Sequence, residues 1–305
     1  MPLKQTASQY VPASVKSLLK FRRLAKRSET AWSDPAAQRL LALQFREMKR
    51  SDSLPETIND AGFQVFSASD EDGILLYLFS IFGTATRTFV DIGAAGIEGS
   101  NTANLVVNHG WHGLHIDGSR SALAFAEQFY RSRTRSRPFP PATHTGFVDS
   151  ENVNQLLEDY GYRGEIDLLS IDIDSTDYWV WQAINVVSPR VVIMEFQAAL
   201  GEQSLTIPNT KTFDRSAHAI NSPPFEVVYC GVSLAALVHL AHEKGYDFVG
   251  CDSLRVNAFF VRSDVNDGAL AEADVKECMQ HPRVRYLVEK YAEDLATYPW
   301  EQVGP

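Results

Sequence analysis

The chain has 305 residues, is 45% hydrophobic and 22% charged, and carries a formal net charge of −10. These figures fit a globular protein with one large α/β domain plus extensions, and they exclude a general nucleic-acid binder, which needs a basic surface. No apolar run approaches the roughly 18 residues of a membrane span, and the N-terminus lacks the apolar core of a signal peptide, so a cytoplasmic protein is expected. Cys230, Cys251 and Cys278 are odd in number, widely spaced and without a C-x-x-C pair. They read as reduced, buried thiols.

Residues 1–50 hold 11 Lys and Arg against 3 Asp and Glu, which leaves an acidic remainder. Residues 1–13 read as a frayed tail. Over 14–27, Val15, Leu18, Leu19 and Leu24 recur at helical spacing among Lys and Arg, giving a basic amphipathic helix. Its plainest role is a solvated face. It is also suited to a phosphate, a membrane surface, an acidic partner or a second copy of the chain. Asp34-Pro35 starts a further helix that runs to Met48, with Asp34 as cap and Pro35 at the first helical position. Residues 1–62 thus form a basic helical extension.

Residues 63–83 read as a loop and a buried helix (Ile74, Leu75, Leu78, Phe79, Ile81). Asp70, Glu71 and Asp72 crowd its start, where they favour the positive end of the helix dipole. A functional alternative places this acidic turn over a ligand's ammonium group. Phe89, Val90 and Ile92 form a strand that ends in Asp91-Ile-Gly93 and a loop with Gly96 and Gly99. A helix around Ala103–Val107 follows, then a strand (Leu114, Ile116) closing at Asp117-Gly118. Strand, glycine loop, helix, strand and acid make a βαβ nucleotide-binding half, in which the acid accepts from a ribose diol. The glycines lack the G-x-G-x-x-G spacing of a dinucleotide site, and no phosphate-binding G-x-x-x-x-G-K-[ST] is present.

A helix from Ala122 to about Arg131 leads to Arg131, Arg133, Arg135 and Arg137, a run that is commonly solvated but able to grip an anionic substrate. A third strand, Thr143–Val148, precedes Asp149 and a return helix over Val153–Tyr160. The fourth strand (Leu168, Leu169, Ile171, Ile173) bears Asp172 and Asp174 at its C-terminal end, and a fifth, Val191–Met194, ends at Glu195. Ligands of open α/β sheets sit beyond the carboxyl ends of the strands, so Asp91, Asp117, Asp172, Asp174 and Glu195 converge on one crevice. Residues 198–230 are a long polar segment leaving from Glu195, read as a lid or substrate-binding loop, with His218 its most interesting side chain, although a lone loop histidine is usually just exposed. Ser233 caps a helix to Lys244, and strands at 246–250 and 256–262 close the domain as an antiparallel pair. Residues 266–305 form a helical tail ending in Tyr298-Pro-Trp300.

Residues 63–265 therefore resemble a class I S-adenosylmethionine-dependent methyltransferase domain: a Rossmann-like, mostly parallel sheet with an antiparallel final strand. The runs FVDIGAAGIEGSNTANLVVNHGWHGLHIDG, GEIDLLSIDIDSTDYWVWQAI, GVSLAALVHLAHEKGYDFVG and NAFFVR are similar to the FkbM-type methyltransferases. That resemblance implies a cofactor site of Asp91, Gly93, Ala94, Gly96, Asn101, Asp117, Gly118, Asp149 and Asp172. Ser175 stands where the family expects glycine after the strand-four acids.

The expected activity is O-methylation of a sugar or natural-product hydroxyl. Asp172, Asp174 or Glu195 serves as the base, or Asp174 and Glu195 hold a divalent ion such as Mg²⁺. The rival readings are a non-catalytic module that keeps the cofactor fold and an NAD-dependent oxidoreductase.

Overall fold

In the central sheet, alternate side chains of each strand face opposite layers, and both layers are apolar. The computed structural model describes residues 34–94, 96–133, 138–210, 213, 219–220 and 227–304. The basic helix expected over 14–27, Arg135, Arg137 and His218 lie outside these.

The chain order begins with α1 (Pro35–Arg50), α2 (Glu71–Phe82), β1 (Thr88–Ile92), α3 (Ala103–His109) and β2 (His112–Asp117). It continues through α4 (Arg120–Ser132), β3 (Ala142–Thr145), α5 (Val153–Asp159), β4 (Gly164–Ile171), α6 (Asp177–Ala183) and β5 (Val187–Glu195). Among the described residues, the segment after β5 contributes a 3-10 turn (Ala198–Leu200) and the short strands β6 (Leu205–Thr206), β7 (Ala219–Ile220) and β8 (Val227–Val228). Then come α7 (Leu234–Glu243), β9 (Tyr246–Cys251), β10 (Asn257–Arg262), α8 (Ser263–Asn266), α9 (Val275–Met279), α10 (Pro282–Leu295) and β11 (Glu301–Gln302).

Seven strands pair in the order β3-β2-β1-β4-β5-β10-β9. All run parallel except β10, which is antiparallel to both β5 and β9. Chain order reverses between β1 and β4, which makes that boundary the switch point where a ligand crevice opens. The expected fold class is observed, with the antiparallel strand last in sequence but second from the sheet edge.

Val90, Ile92, Leu114, Ile116, Leu169, Ile171, Val192, Met194 and Phe260 face one layer, with α6, α7 and α10. Phe89, Leu168, Val191, Ile193, Phe259 and Val261 face the other, with α1 to α4. Two-sided burial is why these strands read as unbroken apolar runs. The two flanking segments enter opposite layers of the core. α1 supplies Phe45, edge-on to Tyr77 at 5.1 Å, and α10 buries Val284, Leu287, Tyr291 and Leu295. Cys230, Cys251 and Cys278 are buried free thiols. Among the described residues no helix is long and apolar enough to cross a membrane.

Two strand ends differ from the sequence reading. β3 stops at Thr145 rather than Val148, with Gly146 N making the last bond to β2, to the Asp117 carbonyl at 3.0 Å. β4 stops at Ile171, so Asp172 and Asp174 lie in the loop beyond it. Asp172 N still reaches Ile92 O at 2.9 Å, but Ile173 N donates to the Asp177 carboxylate at 2.8 Å instead of to a strand.

Capping follows the sequence. Asp34 accepts from Ala36 N with Pro35 opening the helix. Ser233 Oγ accepts from Ala236 N at 3.3 Å and from Leu205 N at 3.0 Å, joining α7 to the segment after β5. Ser233→Ala is expected to cost about 1 kcal/mol, read as a lowered melting temperature.

Candidate functional site

The crevice is built where β1 and β4 diverge. After Ile92 the chain turns sharply: Gly93 N and Ala94 N both donate to Ile116 O, at 2.8 and 3.1 Å. Gly93 has φ +91, and a Cβ built on it would lie 1.6 Å from the Asp172 carbonyl oxygen. Only glycine lets the first loop pass the start of the fourth so closely. Gly96 also has a positive φ, +131, with nothing within 4 Å.

Asp91 is 4% exposed and faces inward rather than into the crevice. Its Oδ2 accepts from Thr102 Oγ1 at 2.7 Å, and Thr102 Oγ1 lies 3.0 Å from His115 Nε2. Burial pushes Asp91 up to about 6 and His115 down to about 3, so the imidazole is neutral. With the threonine proton given to Asp91, the His115 ring carries its hydrogen on Nε2. Asp91 thus locks the glycine loop onto α3 from behind. Asn101, also buried, donates to Ser170 Oγ at 3.4 Å.

Asp117 is half-buried at the end of β2, its Oδ1 held by Ser119 N at 2.6 Å, with Gly118 exposed beside it. Asp149 Oδ1 accepts from Glu151 N and Asn152 N, both at 2.9 Å, which makes it the turn that starts α5. Between them the sequence reading missed Phe147, placed there within a strand. The ring is 89% exposed and packs beside Gly118, 3.0 Å from a Cβ built there. An aromatic in a polar stretch after the third strand was the available signal.

The acids converge. One carboxylate oxygen each from Asp172, Asp174 and Glu195 lie within 4.8 Å of one another, and all three residues are half-buried. Glu195 is raised well above the ordinary carboxylate range, by burial first and then by Asp172 and Asp174, with Asp172 hydrogen-bonded to it. Asp177, a fourth acid that the sequence reading passed over, accepts from Ile173 N and Ser175 N at 2.8 and 2.9 Å. Burial and the charges of Asp172 and Asp174 lift it to about 7. Asp174 has φ +53, a left-handed conformation unusual for a side chain-bearing residue. The residue bearing the strain of this turn is Asp174, so Ser175 is no obstacle to it. Cys230 Sγ lies 3.9 Å from Asp174 Oδ1.

Two elements distant in sequence close on these acids. Arg283 of α10 donates to Leu254 O and Arg255 O, and its charge is felt by Asp252 and Glu195. Tyr229 stacks on Tyr298 at 4.7 Å and donates to Pro299 O, while β11 pairs with β6. The C-terminal tail thereby clasps the end of the segment that follows β5.

The acidic turn at the start of α2 is engaged elsewhere. Asp72 Oδ2 accepts from the backbone of Val65, Phe66 and Ser67, Glu71 from Ser69 N and Asn257 Nδ2, and Asp70 from Ser253. These carboxylates bind the loop before α2 and the β9–β10 turn together. In the arginine run, Arg131 pairs with Glu127 at 2.8 Å and Arg133 lies over Phe129 at 4.5 Å.

No family model matches the chain, and no curated protein matches it. Among solved structures it is similar to an O-methyltransferase from Bacillus cereus in complex with SAH, at 16% identity over 72% of this chain and 90% of that one, TM-score 0.38. It is similar to the CcbJ methyltransferase from Streptomyces caelestis at 11% identity over 68% and 96%, TM-score 0.39. A glycopeptide N-methyltransferase, MtfA, matches at 11% identity over 67% and 93%, TM-score 0.38. The strand order of the sheet, rather than these likenesses, carries the fold assignment.

Proposed function

We propose that this chain is an S-adenosylmethionine-dependent O-methyltransferase of the FkbM-like kind, acting on a hydroxyl of a sugar or other polar natural product. The observation that carries the reading is the switch point itself. Gly93 is pressed against the Asp172 carbonyl, Asp117 stands at the next strand end, and three acids gather on the other side. When bound, the cofactor supplies a sulfonium methyl group, an electrophile that needs no further activation.

The protein's work is then to position and to move a proton. The glycine loop would leave room for the cofactor, Asp117 would accept from its ribose, and the exposed ring of Phe147 would cover its base. Glu195, whose proton affinity is already raised, would take the hydroxyl proton of the acceptor as the O–C bond forms and the sulfur–methyl bond breaks, the thioether S-adenosylhomocysteine leaving with that electron pair. Asp172 and Asp174 hold that proton's site in place.

The same three oxygens form a hard donor set of the type Mg²⁺ takes, and Asp172, Asp174 and Glu195 would be its ligands. Held by these residues, an ion would lower the pKa of the acceptor hydroxyl. Chelation separates the two roles: methyl transfer unaffected by EDTA leaves Glu195 as the base, and transfer abolished by EDTA and restored by Mg²⁺ assigns the ion.

Calorimetry with S-adenosylmethionine, S-adenosylhomocysteine and NAD tests the reading. Binding of the first two and not the third is expected, with Asp117→Ala weakening it about tenfold or more. Phe147→Ala is expected to weaken it about fivefold. Failure of the sulfonium pair to bind would sink the proposal.

A further inference from the structure

On the side of the sheet remote from the acids, next to the N-terminal ends of β1 and β2, α1 and the end of α2 enclose a cleft of about 460 Å³. Leu76, Phe79 and Trp111 contribute apolar walls, and Arg39, Arg46 and Arg87 stand around it. Nearby cations are already used: Lys49 donates to Ile81 O and Arg190 to Phe82 O, both at 2.8 Å, satisfying the last carbonyls of α2. Arg39, Arg46 and Arg87, all exposed, make no ion pair or side-chain hydrogen bond with any described residue.

Arg87 is also built into its place. It has φ +56, a left-handed conformation that side chain-bearing residues rarely adopt. It is held there by Asp167, which is fully buried and accepts from the backbone of Ala85, Thr86 and Arg87. Asp167 lies near Arg190 as well, at 3.5 Å, so its charge is spent on the turn. A fold that strains a backbone to present an arginine, and pairs its guanidinium with no described carboxylate, leaves that charge for a ligand.

Leu40 and Leu43, one helical turn apart on α1 and beside Arg39 and Arg46, are 68% and 58% exposed. A water-soluble anion would fill the arginine cleft and leave both leucines in water. An acidic lipid surface accounts for both, since it offers phosphate to the arginines and hydrocarbon to the leucines.

We propose that this face binds an anionic phospholipid surface: Arg39, Arg46 and Arg87 take a headgroup phosphate, and Leu40 and Leu43 enter the acyl layer. Docking in this way leaves the acid-lined crevice facing solution. The proposal is independent of the methyltransferase reading.

Co-sedimentation of the full chain with phosphatidylcholine vesicles, with and without phosphatidylglycerol, tests it. Because residues 1–33 are themselves basic, the informative reagents are two variants within this face, Arg46→Glu/Arg87→Glu and Leu40→Ser/Leu43→Ser. Circular dichroism melts check that each is folded. The wild type is expected to partition onto vesicles only when phosphatidylglycerol is present, less so at high salt, and each variant to lose about tenfold in partitioning. Absence of wild-type binding overturns the proposal. So does wild-type partitioning by both variants, which would assign vesicle binding to the N-terminal arm. Loss confined to the arginine variant, with inorganic phosphate competing, also overturns it in favour of a soluble or protein-borne anion.

Discussion

Gly93→Ala is expected to cost about 3 kcal/mol or more, and to abolish binding of S-adenosylhomocysteine in whatever folded protein is left. Two effects add. The backbone stands at φ +91, where a side chain is strained by about 1–2 kcal/mol. The new methyl would also sit 1.6 Å from the Asp172 carbonyl oxygen. That atom is backbone, tied through Asp172 N to Ile92 O, so it has no rotamer to escape into. Relief requires β1 and β4 to part at the switch point, which moves the glycine loop and the acid loop together. Gly96→Ala is the control: its φ is +131 but nothing lies within 4 Å, so it should cost about 1 kcal/mol and leave the β1–β4 seam intact. Thermal melts read the difference, with about 5–10 °C expected for Gly93→Ala. Equal shifts for the two variants would show that crowding at Asp172 does not matter.

Lowering the pH from 8 to 6 should stabilise this protein. Glu71 and Asp177 are pushed up to about 7 and Asp91 to about 6, each by burial first, and Glu195 is raised well above its ordinary value. A carboxyl whose folded pKa exceeds its unfolded value near 4 binds its proton more tightly in the folded chain. The fold therefore loses stability as pH rises from about 4 through about 7, and regains it on acidification. Glu195 faces Asp172, Asp174 and Asp177, which outweigh its attraction to Arg283, so it contributes strongly to this slope. Glu195→Gln keeps the shape and removes the charge. It should raise the melting temperature at pH 8 by about 3–6 °C, flatten the pH dependence, and reduce methyl transfer about 10²- to 10⁴-fold. A wild-type melting temperature that is flat or rising between pH 6 and pH 8 would refute this account. So would a Glu195→Gln variant that transfers methyl normally.

The strand-level pattern was legible because burial on both faces writes itself as apolar runs, and acids at their ends mark one edge. Asp91, Gly93, Asp117, Asp172, Asp174 and Glu195 were all found that way. Their separate tasks were not. Asp91 reads as a ligand-facing acid, yet it is buried against Thr102, because a residue at a strand end points to either layer according to pleat and register. Asp149 also starts α5 through its Oδ1, a task that its place after the third strand does not reveal. Asp177 and Arg283 carried no signal, since an acid at a helix start and an arginine in an amphipathic tail are ordinary until another chain segment approaches them.

By itself, the sequence determined the alternation of strands and helices, the glycine at position 93, and the caps at Asp34 and Ser233. These depend on local backbone geometry and on spacing of a few residues. The tertiary structure alone decided that Gly93 meets Asp172, that four acids share one site, and that Asp174 rather than Ser175 takes the left-handed turn. It also decided that Arg39, Arg46 and Arg87 surround one cleft. The first two depend on which strands become neighbours, since the order β3-β2-β1-β4-β5-β10-β9 brings together residues about 80 positions apart, and the cleft depends on α1 packing against α2.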